Sequence, residues 1–183
     1  MKTIILFEPG TDVVHPPIGL LHLASAVRDK YKVIIKDFSG KKIEDKEIKY
    51  LIKKFKPFII GVRVLTGPCI PRALKISEIS KKEKIPVIWG GPHPTILPKQ
   101  TLENENIDAV CVGEGEYTFQ NLLKYFEGKT KKVLGAGIKE KGKMTIFPPQ
   151  KKFVDINKSL LPSWDLLEDI KRYFPDKKNN SIS

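Results

Sequence analysis

Short apolar runs alternate with segments of helical period along the first 130 residues. The first run, residues 3–7, is apolar from Ile4 to Phe7 and closes on Glu8-Pro9-Gly10, which reads as a buried strand. Pro16-Pro17 then opens a helix predicted over about 18–30, because proline suits a first turn where its missing N–H is not needed. That helix is apolar almost all round through Val27, which predicts burial. A second strand follows at 32–38. The next helix, 43–55, carries Ile48, Leu51, Ile52 and Phe55 at i, i+3, i+4 and i+7, with lysine and glutamate opposite. Residues 58–62 form strand three, and a helix with Ile70, Ala73, Leu74, Ile76 and Ile79 inward runs to about Lys82. Strand four is Val87-Ile88-Trp89. A proline-broken helical stretch leads to strand five at 108–112, and Phe119, Leu122, Leu123 and Phe126 mark the last amphipathic helix.

Continuous apolar strands, each followed by a helix, predict a sheet buried on both faces with right-handed crossovers. The fold class is therefore α/β, a doubly wound, mainly parallel five-stranded Rossmann-like (flavodoxin-like) sheet. From Val133 the pattern changes. Residues 134–138 and 144–147 flank Lys139-Glu140-Lys141-Gly142-Lys143, a hairpin signal that extends one sheet edge. The expected organisation is an α/β domain over 1–130, an appended β-hairpin over 131–150 and a linker-like segment over 151–183. Only patches such as Leu160-Leu161-Pro162-Ser163-Trp164 are apolar in that segment, and the polar stretch 176–183 is expected to be disordered.

Composition narrows the function classes. The chain has 183 residues, 40% hydrophobic and 9% aromatic, enough for one packed core. No apolar run reaches the roughly 20 residues of a membrane span, and the opening apolar run is interrupted by Glu8 and Pro9 too soon for a signal peptide. A cytoplasmic protein is expected. The net charge is +12, yet only Arg28, Arg63, Arg72 and Arg172 among its 33 basic residues are arginine. Nucleic-acid readers favour arginine, and the lysines here scatter over outer helix faces, so a solvated basic surface is preferred to a nucleic-acid footprint. Cys69 and Cys111 stand 42 positions apart, which excludes a CxxC pair or a four-cysteine metal site within this sequence.

The chemistry is expected at the C-terminal ends of the strands, where open parallel sheets bind ligands. The loops there contain His15, Pro17 and Gly19, then Thr66 and Gly67, then Gly90, Gly91 and His93, and last Gly113, Glu114, Gly115 and Glu116. Glycines let backbone approach a bulky ligand, although strand-to-helix turns use them too. Glu114 and Glu116 fit either a helix N-terminus, where negative charge is favoured, or a ligand contact. Neither GxGxxG nor GxxxxGK[ST] follows strand one, and no GxSxG elbow occurs. Strand three ends Val62-Arg63-Val64, without the aspartate of a phospho-acceptor domain. A metal held by His15 and His93 with Glu114 or Glu116 is a minor alternative.

Taken together, residues 15–24 (HPPIGLLHLA), 66–68 (TGP), 89–95 (WGGPHPT) and 108–116 (DAVCVGEGE) resemble the N-terminal cobalamin-binding domain of B12-dependent radical SAM enzymes. The likeness runs from residue 4 to about residue 173, and 161–167 (LPSWDLL) is similar to the segment that leads into the radical SAM barrel. The resemblance implies cobalamin as cofactor, with the corrin over the C-terminal sheet edge. It places the nucleotide tail against Gly67, Gly90, Gly91 and Gly113, and cofactor contacts at His15, Pro17, Gly19, Thr66, His93, Glu114, Gly115 and Glu116. Two departures follow. There is no CxxxCxxC, so an iron–sulfur cluster and S-adenosylmethionine would belong to a further domain or a separate radical SAM partner, and this stretch is not catalytic alone. There is also no Asp-x-His-x-x-Gly, since Asp12, His15 and Gly19 miss its spacing, so no residue is named as a cobalt ligand. The alternatives are a cofactor-less flavodoxin-like interaction or regulatory module and, after it, a basic nucleic-acid binder.

Overall fold

The structure is a computed structural model and describes residues 1–151, 154–155 and 160–174. Seven strands form one sheet: β1 (Thr3–Glu8), β2 (Lys32–Asp37), β3 (Ile59–Arg63), β4 (Val87–Gly90), β5 (Ala109–Cys111), β6 (Ala136–Glu140) and β7 (Lys143–Ile146). Their order across the sheet is β2-β1-β3-β4-β5-β6-β7, so β1 lies inside it, between β2 and β3. Strands β1 to β5 are parallel, while β6 and β7 join antiparallel. The doubly wound α/β expectation holds, with the hairpin added beside β5.

Alternate side chains of each strand feed two cores. Ile5, Phe7, Ile60 and Val62 face helices α2 (Asp45–Phe55) and α3 (Cys69–Lys82), meeting Ile48, Leu51, Ile52, Ala73 and Ile76. Ile4, Leu6, Ile59 and Ile88 face α1 (Ile18–Val27) and the helix that follows β5, meeting Leu20, Leu21, Phe119 and Leu122. Two short helices, α4 (Pro92–Ile96) and α5 (Pro98–Glu103), bridge β4 and β5, and α6 (Gly115–Phe126) follows β5. Ile4 to Phe7 are fully buried, as the continuous apolar run of a strand covered on both faces requires.

Three features refine the sequence pattern. Helix α2 begins at Asp45 rather than Ile43. Ile43 instead packs in the same core as Ile48, a hydrophobic staple that sets the entry of the chain into the helix. The hairpin turn is two residues, Lys141 and Gly142, both with positive φ (46° and 80°), the geometry whose twist matches that of the strands. Helix α1 is buried along its body but opens at its N-terminal end, where Ile18 is 41% exposed and Gly19 faces a cleft.

Residues 160–174 lie back against α1 and β2. Ser163 is buried, its Oγ 2.7 Å from Ser25 Oγ. Arg28 pairs bidentately with Asp165 at 2.8 and 2.7 Å, and Lys36 reaches Glu168 at 3.1 Å. Tyr173 donates its hydroxyl to Asp37 Oδ2 at 2.5 Å. The expectation of disorder at 176–183 falls outside the described residues. Among the described residues no helix is long and apolar enough to cross a membrane.

Candidate functional site

A cleft of about 220 Å³ opens at the C-terminal edge, on the face covered by α1 and α6. Sheet register builds its floor. Leu6, Gly61 and Ile88 stand abreast on β1, β3 and β4. Two residues further along the strands, on the same face, Arg63 stands abreast of Gly90. Helix α1 contributes Gly19, Leu20 and Leu23, and the far wall is Cys111, Gly113 to Glu116 and Phe119.

Missing side chains make this space. Gly91 has φ +97° and ψ −171°, a region occupied almost only by glycine. A Cβ there would also lie 3.1 Å from Val64 O. Gly90 differs, because a Cβ there meets only Cys111 Cβ at 3.6 Å, an ordinary contact on the cleft surface. At Gly115 a Cβ would press on Leu23 Cδ1 at 3.2 Å.

The loops around the cleft are tied to one another. Thr95 donates its hydroxyl to Gly91 O at 2.8 Å and accepts Gly113 N–H at 3.0 Å, joining the loops after β4 and β5. His93 is buried, meets Trp89 edge-on, and has Nδ1 3.3 Å from Thr66 Oγ1. The backbone N–H of His93 donates to Val64 O at 3.1 Å, which ties the loops after β3 and β4. Glu114 takes the N-cap position of α6 without bonding its own helix, and its carboxylate instead accepts Val154 N–H at 2.7 Å.

An ion pair stands at the cleft. Arg63 Nη1 donates to Glu8 Oε2 at 2.7 Å, where the Glu8 side chain is fully buried and that of Arg63 is 24% exposed. Glu8 Oε1 accepts Gly10 N–H at 3.1 Å. Burial pushes the Glu8 carboxyl above its ordinary value, with Arg63 and the Gly10 N–H pulling it back and Asp37 adding to the rise. Burial also pushes the Cys111 thiol up to about 12, helped by Glu116 and opposed by a hydrogen bond with Thr118. Cys111 is therefore a neutral wall residue near pH 7.

Of the residues singled out in the sequence, Gly19, Gly90, Gly91, Gly113, Glu114, Gly115 and Glu116 come together in the cleft. His15, Pro17, Thr66, Gly67 and His93 do not line it. Pro17 is buried, and its carbonyl starts α1 by accepting Leu20 and Leu21 N–H. Thr66 and Gly67 are exposed on the loop after β3. Among the described residues no group of three His, Cys, Asp or Glu side chains is placed to hold an ion. Arg63, Glu8 and Gly61 join the site although no motif marks them. A glycine within a buried strand signals a close approach, and charged residues ending two otherwise apolar strands were the other available sign.

Residues 9–123 match the model of the B12 binding domain. An uncharacterized methyltransferase of Pyrococcus horikoshii, PH0819, is 35% identical over 179 residues, covering 91% of this chain and 39% of that protein. The anaerobic magnesium-protoporphyrin IX monomethyl ester cyclase of Rubrivivax gelatinosus is 28% identical over 91% of this chain and 32% of its own length. The chain thus spans only 32–39% of the length of these relatives. Among solved structures, the cobalamin-dependent S-adenosylmethionine radical enzyme OxsB, with aqua-cobalamin and S-adenosylmethionine bound, superposes with a TM-score of 0.77. Identity there is 22%, over 94% of this chain and 25% of that one, a likeness of fold. With the family model covering more than half of the sequence, the chain belongs to the B12-binding domain family, whose cofactor is cobalamin.

Proposed function

We propose that this chain holds cobalamin with its nucleotide tail in the cleft and its corrin over the C-terminal sheet edge. It would present the cofactor to a radical SAM unit, in the same longer protein or in a partner, for methyl transfer or radical chemistry. The observation that carries this reading is the glycine-walled cleft itself. Gly19, Gly61, Gly90, Gly91 and Gly115 leave a slot floored by Leu6 and Ile88 and closed by Phe119. Its size is below the roughly 300–1,000 Å³ of pockets that enclose a whole drug-sized ligand, so it suits one flat part of a larger molecule. The apolar walls fit the dimethylbenzimidazole base, and the loops at the mouth carry backbone N–H groups and carboxylates suited to the amide side chains of a corrin.

Bound cobalamin supplies methyl-group or one-electron chemistry at cobalt, and the chain's own residues bind and orient it. Leu6, Leu20, Leu23 and Phe119 exclude water from the slot. Thr95, by joining Gly91 to Gly113, keeps its two glycine walls at a set distance. Similarity to PH0819, named a methyltransferase, supports methyl transfer, and likeness of fold to the cobalamin-dependent S-adenosylmethionine radical enzyme OxsB supports a role beside a radical SAM unit. The test is direct: incubate the purified chain with hydroxocobalamin, remove free ligand by gel filtration and record the visible spectrum. Near-stoichiometric retained corrin absorbance is expected, and a colourless protein overturns the reading. Co-purification with a CxxxCxxC protein tests the partner.

A further inference from the structure

We propose that Arg63 anchors the phosphodiester of the nucleotide tail at the mouth of the cleft. The inference rests on the tail-in-cleft reading above and deepens it. Cobalamin joins its flat base to the corrin through a ribose and a phosphodiester. The base suits the lower part of the slot, between Leu6, Gly61, Ile88 and Phe119, where a charged phosphate would be left unsolvated. The macrocycle is too large for the cleft and stays outside. The anionic link between them then falls at the mouth, one step of the pleat above Gly61, which is the height of Arg63 on β3.

The side chain is built for this use. Its guanidinium is gripped from behind by Glu8 at 2.7 Å, and Glu8 is itself fully buried and held by Gly10 N–H. Guanidinium carries five N–H donors in a planar fork that matches phosphate. Among the described residues no second side chain takes the donors that Glu8 leaves. Glycines keep the approach clear on both sides: a Cβ at Gly19 would stand 3.9 Å from Arg63 Nε, and one at Gly91 would stand 3.3 Å from Arg63 Cγ. Only 24% of the side chain is exposed, and a charge-assisted bond strengthens as water is excluded.

The experiment compares two ligands. Hydroxocobalamin carries the phosphodiester and base, and dicyanocobinamide has the corrin without either. Arg63→Gln should weaken hydroxocobalamin binding about 10- to 100-fold and leave cobinamide binding within about two-fold, both followed by equilibrium dialysis and visible absorbance. Arg63→Lys, which keeps the charge and loses the fork, should recover part of the loss. Circular dichroism melts of both variants check that the fold is retained. An equal loss for the two ligands, or unchanged hydroxocobalamin affinity in Arg63→Gln, overturns the anchor while leaving cobalamin binding intact. Failure of the wild-type chain to bind hydroxocobalamin overturns the tail-in-cleft reading itself, a separate result.

Discussion

Gly90→Leu is the sharpest perturbation of the cleft. Gly90 ends β4 on the cleft face, abreast of Arg63. A Cβ there makes only an ordinary 3.6 Å contact with Cys111 Cβ, so a side chain can be added without moving backbone. A leucine would project into the slot and occupy part of its 220 Å³. Burying a flat aromatic group removes about 150–250 Å² from water, worth roughly 4–6 kcal/mol at about 25 cal/mol per Å². Losing half of that contact costs about 2–3 kcal/mol, or about 30- to 150-fold in Kd. The free protein should keep or gain stability, because a strand glycine costs about 0.5–1 kcal/mol relative to alanine. Titration with hydroxocobalamin followed by visible absorbance gives the affinity, and a thermal melt gives the stability. Affinity within about three-fold of wild type, in a variant that melts normally, would refute the placement of the tail in this cleft.

Other perturbations separate stability from binding. Gly91→Ala forces a Cβ onto φ +97° and to 3.1 Å from Val64 O, so a loss of about 1–3 kcal/mol in urea unfolding is expected; an unchanged midpoint would contradict the strain. The Glu8 carboxyl is raised above 4.5 by burial, against Arg63 and Gly10 N–H and with Asp37. The folded state therefore keeps this proton where the unfolded chain has lost it. Its stabilising contribution is complete below 4.5 and fades as pH rises through the raised value. Subtracting the Glu8→Gln melting curve from the wild-type curve should show that fall, and a difference of opposite slope would refute it. Tyr173→Phe removes one donor from Asp37, which is 7% exposed, so a loss of about 1–2 kcal/mol and faster proteolysis within 160–174 are expected. Unchanged cleavage would mean that this contact does not hold the segment.

Much of the architecture was legible one segment at a time. Apolar runs named the central strands because a strand covered on both faces has no polar side to show. Three-four spacing named the helices, and glycines after β4 and β5 marked the sheet edge, since tight turns beside a ligand leave no room for Cβ. Periodicity is local, however, and cannot say which side chains meet. Only the parallel register set Gly61 below Arg63 and abreast of Leu6 and Ile88, turning residues far apart in sequence into one cleft. Only the fold paired Arg63 with a buried Glu8 from another strand. It also turned His93 inward to Trp89 and Thr66 rather than toward the cleft, because the first turn of α4 is fixed by a backbone bond to Val64. The segment 160–174 shows the same limit: its apolar patches are too short for a periodic signal, and its position comes from Trp164, Leu166 and Leu167 packing on the core beneath α1 together with ion pairs and hydroxyl bonds to α1 and β2. Element type was written in neighbouring residues, while the site was decided by contacts between strands that only packing brings together.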